Sequence, residues 1–547
     1  MKRLSLIAVS VMASAMAVAQ NTYQNDLLVG QGDVFGTARY VGMGGAMGAL
    51  GADMSVMGYN PAGIGLYRKS DVSLTAGAVI PQGTNGYSNA VDPNHKLAKA
   101  VFDQCGVVWS LNMGNSSKLS YLNVGFNYQK KANFNSGFFA DHANLGGLSQ
   151  MDQLAELCQN GFDTNNNLAG LAYDADFLDK DVNVDDDGNE VSRNSVSNAY
   201  GGEYSQTTRH TRGSLQGFDF NLSFNIQDRV YLGGTFGFDN LNNLSWTEYG
   251  EANSYYDADD NQVYGDYRLY NDTEIRGFGI NSKLGIIVRP IESNSLRVGL
   301  AIETPTWYRL RNSTYFDLTD DVTGDRTSSV ESYLEYTLKS PCKTRFSIGS
   351  TVGNNFAWDV EYELANYAKT SMGYPKWDSN DPDHSSFSNT RDIYMNALTK
   401  NVLKAQHTLR AGVEYRPVSS VALRLGYNFI TSHYEKNVGF DQYTLADGDG
   451  SGYSYSSAMD YATSTDYMRM GATNILTLGA GYKYKKFYID LAYKFRTQGA
   501  KYWAFDTAYT GGTDFATAYP ELADTDIDPV KMTLNQHTLT CTLGFKF

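Results

Sequence analysis

The sequence predicts an all-β protein, a 14-stranded antiparallel transmembrane β-barrel with an N-terminal hatch plugging the lumen and long extracellular loops. Three observations predict it. Nonpolar residues recur at every second position in many separate segments. The connections between those segments alternate between short and long. The chain also ends on such a segment, with an aromatic as its last residue.

Composition sets the bounds. The 547 residues include 53 Gly and 40 Tyr but only 11 Pro, a mixture that favours repeated strands and turns over disorder. The mean hydropathy of -0.39 is too polar for a bundle of membrane helices. A barrel escapes that test because only alternate residues face lipid. No stretch after the N-terminus approaches about 18 unbroken apolar residues, so no membrane-spanning helix is expected. A net charge of -15 argues against nucleic acid as a partner. The acid gathers in turn-like stretches such as Asp185 to Asp187 and Asp257 to Asp260. The cysteines Cys105, Cys158, Cys342 and Cys541 are far apart, and their spacing does not pair them.

The elements follow in order. Lys2 and Arg3 precede a short apolar core, Leu4 to Met16, and a small-residue site, Ala17-Val18-Ala19. Residues 1–19 thus read as a signal peptide, and the mature chain is expected to begin at Gln20. Residues 20–69 read as a hatch. Gly42, Gly44, Gly45, Gly48 and Gly51 let backbone pass close to backbone. Asn60-Pro61 imposes extended or turn geometry, followed by Ala62 and Gly63. This compact, sparsely charged stretch suits the inside of a lumen better than a surface linker.

Residues 70–547 read as the barrel. Phe218, Phe220, Leu222, Phe224 and Ile226 alternate with Asp219, Asn221, Ser223 and Asn225. The same period recurs around Leu296 to Glu303, Phe356 to Leu364, Val421 to Phe429 and Phe487 to Arg496. Alternate side chains point to opposite faces of a strand, so one face is oily. Charges on the other face predict a wet interior. Strands are expected near 70–80, 105–113, 119–131, 213–227, 229–240, 272–289, 294–306, 338–352, 355–367, 402–417, 419–434, 473–484, 486–498 and 533–547. Six joints are tight and seven are long, roughly 81–104, 132–212, 241–271, 307–337, 368–401, 435–472 and 499–532. Short periplasmic turns and long external loops are the form expected of an outer-membrane barrel.

Within the longest loop, Gly147 to Phe162 reads as a short amphipathic helix capped by Ser149, with Leu148, Met151, Leu154 and Leu157 at three-residue spacing. Asn183-x-Asp185-x-Asp187-Gly188 and Asp447-x-Asp449-x-Ser451-Gly452 mimic half of a calcium loop. Both lack the acidic twelfth ligand, so they read as solvated turns and no metal is expected. In the last strand, Leu539, Cys541, Leu543, Phe545 and Phe547 share one face. About ten such residues cross a bilayer. Phe545 and the terminal Phe547 resemble the signal read by the barrel-assembly machinery.

The segment before the barrel resembles the N-terminal hatch of the FadL/TodX family of outer-membrane transport proteins. The resemblance rests on the run Gly42 to Gly51, the step Asp53-x-Ser55, and Asn60-Pro61-Ala62-Gly63, which matches that family's N-P-A motif. It covers about residues 30–75, and the remainder agrees in architecture alone. The resemblance implies diffusion-driven uptake of hydrophobic small molecules such as long-chain fatty acids. It also implies gating by the hatch and lateral exit through the wall at a kinked third strand. There Gly125 and Asn127 are the exit candidates. Trp307 and the loop helix are candidates for greasy contact, against the competing reading of interfacial girdle and loop core. Arg297 and Arg424 face the lumen and could meet a carboxylate head group, against the competing reading of pairing with lumen acids or the hatch. The implied surroundings are outer-membrane lipid and lipopolysaccharide.

No G-x-S-x-G, H-E-x-x-H or P-loop is present, so no enzyme and no cofactor are expected. A role as surface anchor or shuttle barrel in protein secretion stays open as the alternative. Closure removes strand edges, so a monomer is expected.

Overall fold

The computed structural model describes residues 25–30, 32–82, 98–114, 118–157, 168–184, 190–197, 202–256, 262–328, 332–377, 387–435, 464–505 and 527–547. The expected signal peptide and the acidic stretches 185–187, 257–260 and 447–452 lie outside them.

Period-two alternation builds fourteen staves. They are β1 (Asp71–Gln82), β2 (Lys99–Asn112), β3 (Leu119–Asn133), β4 (Gly202–Ile226), β5 (Val230–Tyr256) and β6 (Tyr267–Val288). Then come β7 (Arg297–Glu303 with Trp307–Asp320), β8 (Ser332–Lys339 with Lys343–Val352) and β9 (Phe356–Asn366 with Ser371–Trp377). The last are β10 (Ala405–Val418), β11 (Val421–Ile430), β12 (Tyr467–Tyr484), β13 (Phe487–Trp503) and β14 (Val530–Lys546). Each pairs antiparallel with its successor. β14 pairs with β1 from Asp71↔Lys546 to Gln82↔Asn535, which closes the wall. Every expected strand has its counterpart. The tight joints at Gln227-Asp228, Pro290 to Ser293, Gly353-Asn354 and Lys485 are present, the one expected at Val418 falls at Ser419-Ser420, and at the first both residues take φ near +54°. That is the geometry of a type I′ hairpin turn, whose twist matches the flanking strands.

The faces divide as the alternation predicts. Phe220, Leu491 and Leu543 are about half exposed on the outside. Asp219, Asn221 and Ser223 are buried on the inside. An oily belt this continuous is what a bilayer covers. Its upper edge is marked by outward tyrosines bonded to neighbours. Tyr362 Oη lies 2.6 Å from His407 Nδ1, Tyr427 Oη donates to Asn474 at 2.7 Å, and Tyr493 Oη lies 2.8 Å from His537 Nδ1. Aromatic polar tips of this kind collect at membrane interfaces.

Three expectations need correcting. The interior is polar, but at the level of the leading segment it is packed with paired side chains rather than wet throughout. Lys283 and Asp219 pair at 2.9 Å with both side chains fully covered. Second, 241–271 and 307–337 are largely strand. β4 and β5 stay paired from Ile226↔Val230 up to Tyr204↔Ala252, far above the roughly ten residues a bilayer needs. Above the belt the outer face turns polar, so the hydrophobic contrast fades while the ladder continues. Third, β7 and β8 are each interrupted once, at Pro305 and Pro341, residues that cannot donate to a ladder. The breaks lie side by side and are bridged by Ser340 N donating to Thr306 O at 3.0 Å and Thr306 N donating to Ser340 Oγ at 2.9 Å.

Candidate functional site

The leading segment folds inside the cylinder. Thr37 caps the short helix Ala38–Gly42 by accepting from Tyr40 N. Asp53 caps the 3-10 turn Met54–Gly58, and its carboxylate also accepts from Thr37 Oγ1 at 2.7 Å. Asn60 caps the next 3-10 turn, Pro61–Leu66, with Pro61 at its first position, where a missing N–H costs nothing. Asn60 Nδ2 donates to Gly48 O at 2.7 Å, tying the asparagine-proline turn to the glycine run.

Wall side chains grip this segment from several sides. Asp359 on β9 accepts from the backbone of both Ala49 and Leu50, at 2.9 and 2.8 Å. Ser223 on β4 donates to Pro61 O at 2.8 Å, and Asn123 on β3 donates to Ile64 O at 3.0 Å. Thr542 on β14 accepts from Ala38 N at 2.7 Å. Lys494 on β13 donates to Asp33 at 2.5 Å and to Val34 O at 3.0 Å. Arg345 on β8 donates to Tyr59 O at 3.2 Å and stacks over its ring.

Glycine enables the fit on both sides. Gly44 sits at φ +65° with its backbone against Gly426 of β11. A Cβ on Gly426 would lie 2.6 Å from Gly44 Cα. Gly42 meets Gly479 of β12 in the same way, and a Cβ on Gly48 would meet Ser347 Oγ at 2.8 Å. Gly45 (φ +76°) and Gly51 (φ +57°) turn the chain between them. The wall glycines Gly426 and Gly479 carry no local signal in the sequence, because glycine inside a strand is usually read as packing relief.

Above the hatch lies a cavity of about 1340 Å³ including its open mouth. Leu27, Leu28, Phe134, Phe138, Met468 and Met470 supply its apolar lining, and Asn133, Ser136, Arg209 and Asp466 its polar lining. A second cavity of about 860 Å³ lies at the short-turn end, lined by Asp53, Tyr67, Ser419, Lys483 and Lys546. The two share no lining residue, and the hatch stands between them.

Beside the upper cavity the wall is incompletely laced. The ladder between β2 and β3 runs from Asn112↔Tyr121 to Gln104↔Gln129 and stops. Above that level Lys99, Ala100, Val101 and Phe102 pair with β1, while Lys130, Ala132 and Asn133 pair with β4. Both strands bulge where they part, at Asp103 and Lys131. Bulges bend a strand and end pairing. The chain then turns inward, and Ser136–His142 pairs with Thr211 to Ser205 of β4 while Phe138 packs 5.1 Å from the ring of Tyr502 on β13. An ion pair spans the parting, with Lys130 Nζ 3.8 Å from the Asp103 carboxylate, and the rings of Phe102 and Tyr128 stack across it at 5.4 Å.

Several candidates sit elsewhere than expected. Gly125 and Asn127 keep regular register with both neighbours, so the kink is not theirs. A Cβ on Gly125 would strike Met57 of the hatch, and Asn127 accepts from Gln104 at 2.8 Å. Arg424 is held by Glu414 at 2.7 Å and Asp490 at 2.6 Å. Arg297 reaches Leu50 O of the hatch at 3.4 Å. Both arginines thus follow the competing reading. The helix Gln150–Leu157 forms, with Ser149 Oγ accepting from Met151 N at 3.1 Å and Asp152 accepting from Ser149 N at 2.9 Å, a capping box. Leu148, Met151 and Leu154 are buried in a core of the loop layer with Leu145, Tyr249 and Phe316, and they do not line the cavity. The Leu157 side chain lies outside what the structure describes. Trp307 stands on the outer wall, half exposed. Phe545 packs 4.8 Å from Phe487 and 5.9 Å from Phe547. The residues that sequence reasoning missed are Leu27, Leu28, Phe134 and Phe138. They carry no periodic signal, because they lie in a single short helical stretch, in irregular chain or in a short inner strand.

No known family profile matches the chain, and no curated protein matches its sequence. Solved structures do resemble it. The toluene transporter TbuX of Ralstonia pickettii aligns over 95% of this chain and 100% of its own at 13% identity, with a TM-score of 0.46. A FadL homologue from Pseudomonas aeruginosa aligns over 94% and 99% at 11% identity, TM-score 0.46. The toluene transporter TodX of P. putida aligns over 94% and 99% at 10% identity, TM-score 0.47. At these scores the likeness carries no argument, and the functional reading rests on the barrel's own geometry.

Proposed function

We propose that this chain is an outer-membrane channel for passive uptake of hydrophobic small molecules, long-chain fatty acids among them. The observation that carries the reading is the parting of β2 from β3 beside an apolar cavity, above a hatch that fills the lumen. An oily solute gains by leaving water for Leu27, Leu28, Phe134 and Phe138, since burial of apolar surface is favourable at about 25 cal/mol per Å². From there the hydrocarbon belt of the bilayer is a better destination than the charged, aqueous space below the hatch. A side passage delivers the solute to that belt without exposing it to water. The hatch contributes by denying polar solutes a route along the axis.

The test is uptake of radiolabelled oleate and of toluene by cells with and without the protein. Uptake that depends on the protein is the expected result, and equal uptake in its absence contradicts the reading. Ser136 lines the cavity and is only partly covered. Ser136→Trp is expected to lower uptake roughly tenfold, the consequence of losing about 1.4 kcal/mol of vestibule binding. Its folded band on unheated gels should match wild type, which separates lost passage from lost fold.

A further inference from the structure

We infer that the short-turn end of the barrel carries a collar of cations that binds the phosphates of anionic phospholipids in the adjoining leaflet. Lys69 stands just before β1, Lys118 just before β3, Arg229 between β4 and β5, Arg289 after β6, and Lys485 and Lys486 between β12 and β13. Arg289 is half-buried and donates to the backbone oxygens of Asn294 and Glu292 at 2.8 and 2.7 Å, while the others are exposed. Most carboxylates of this end are already paired. Asp228 lies 3.0 Å from Arg68, Glu414 2.7 Å from Arg416 and Asp71 3.6 Å from Lys546. With those pairs set aside, the anions left among the described residues of these turns are Glu292 and the terminal carboxylate of Phe547. The whole chain carries -15, so this positive end runs against the trend of the molecule.

The level of the collar names the ligand. Val72, Leu232, Leu284 and Ile489 are exposed on the outer wall a few residues along from these cations and belong to the lipid belt. The cations therefore stand at the foot of the belt, where hydrocarbon gives way to head groups. Lys485 Nζ lies 5.3 Å from the centre of the Tyr484 ring and Lys486 Nζ 5.8 Å from that of Phe545. Tyr484 and Phe487 are themselves exposed. Long basic side chains laid along apolar groups carry their charge out to the interface, where aromatic residues also gather. Basic clusters beside a membrane attract anionic lipid. A protein partner would select one side of the barrel, whereas a lipid annulus touches the wall all round. The collar is spread accordingly, from the β12–β13 turn past β1 to the β6–β7 turn. It is interrupted at the β8–β9 turn, where Gly353, Asn354 and Asn355 carry no charge. In the proposed orientation the short turns face the periplasm, so the lipid is a phospholipid of the periplasmic leaflet. The inference rests on that orientation and is independent of what the barrel transports.

The experiment is electron spin resonance of trace spin-labelled phosphatidylglycerol or phosphatidylcholine in phosphatidylcholine bilayers that hold the full-length protein. The motionally restricted fraction of each label reports its association with the wall. Wild type is expected to favour phosphatidylglycerol about threefold, as electrostatic attraction to a basic cluster implies. That preference should fade in about 1 M salt, where the screening length shrinks to about 3 Å. The variant Lys118→Gln, Arg229→Gln, Lys485→Gln, Lys486→Gln should treat the two lipids nearly alike. Arg268→Gln with Lys501→Gln, exposed at the opposite end, should keep the wild-type preference. Heat-modifiable migration verifies folding, and Lys485→Gln with Lys486→Gln serves if the fourfold variant fails to fold. No preference in wild type, undiminished preference in the collar variant, or an equal loss in the opposite-end variant overturns the site. So does sedimentation with purified peptidoglycan that the collar variant abolishes while lipid preference is absent, since the cations would then serve the cell wall. Oleate uptake by the collar variant should match wild type, so failure of this site and failure of the transport reading are told apart.

Discussion

Gly426→Val is expected to unseat the leading segment from the barrel. Glycine at 426 leaves no side chain between β11 and the backbone at Met43 and Gly44. A Cβ there would meet backbone atoms rather than the far end of a flexible side chain, so no rotamer change relieves it. Overpacking at such a site costs about 1–3 kcal/mol, and the segment can escape that cost only by moving off the wall. The wall itself is held by ladders on both flanks of Gly426, to Gly412 and to Thr477, and should stay closed. The expected outcome is a barrel that migrates as folded while residues 25–66 become cleavable by added protease. Cells carrying it should also become sensitive to hydrophilic antibiotics too large for ordinary pores. Wild-type protease resistance in the variant would show that the contact is not what seats the hatch.

Arg345→Ala is expected to cause the largest loss of stability. Arg345 lies inside the wall, almost wholly covered, and bridges Glu303 at 2.6 Å and Glu363. It also holds the hatch through Tyr59 O. Arg410 reinforces the group by pairing with Glu361 at 2.7 Å and Glu363 at 3.4 Å. Removing one member of a buried ionic group leaves carboxylates without compensation and costs about 3–5 kcal/mol. The measurement is the urea midpoint for unfolding from lipid vesicles, which should fall markedly. Arg345→Met serves as the comparison, because it restores apolar volume but not charge and should remain nearly as destabilised. Near-wild-type stability in both variants would mean that Arg410 alone satisfies the acids.

Much of this architecture was legible because a bilayer makes every lipid-facing position report on itself. Phe220, Leu425 and Leu491 had to be apolar and their neighbours did not, so alternation exposed the staves. The tight turns were legible for a related reason, since two-residue hairpins leave no room for other structure. The hatch was legible through Asn60-Pro61 and the glycine run, whose backbone needs are local. What stayed hidden depends on distant partners. The kink of β3 arises where Asp103 and Lys131 bulge in two different strands, and neither residue is unusual in its own neighbourhood. Arg424 leaves two readings open, a carboxylate head group or a lumen acid, until Glu414 and Asp490 are brought beside it. The loop helix was recognisable at Ser149 to Asp152, but its greasy face packs a core of the loop layer rather than a ligand groove, a choice that only tertiary contacts reveal. The upper halves of β4 to β8 escaped notice because water on the outer face erases the two-residue contrast.

Current through single proteins in a planar bilayer tests the central claim most directly. A cylinder stoppered by its own N-terminal segment should insert without producing steady ion-conducting steps in salt solution, while the same preparation still passes hydrophobic solute into vesicles. Stable, ohmic openings of porin size from the unmodified protein would contradict the account.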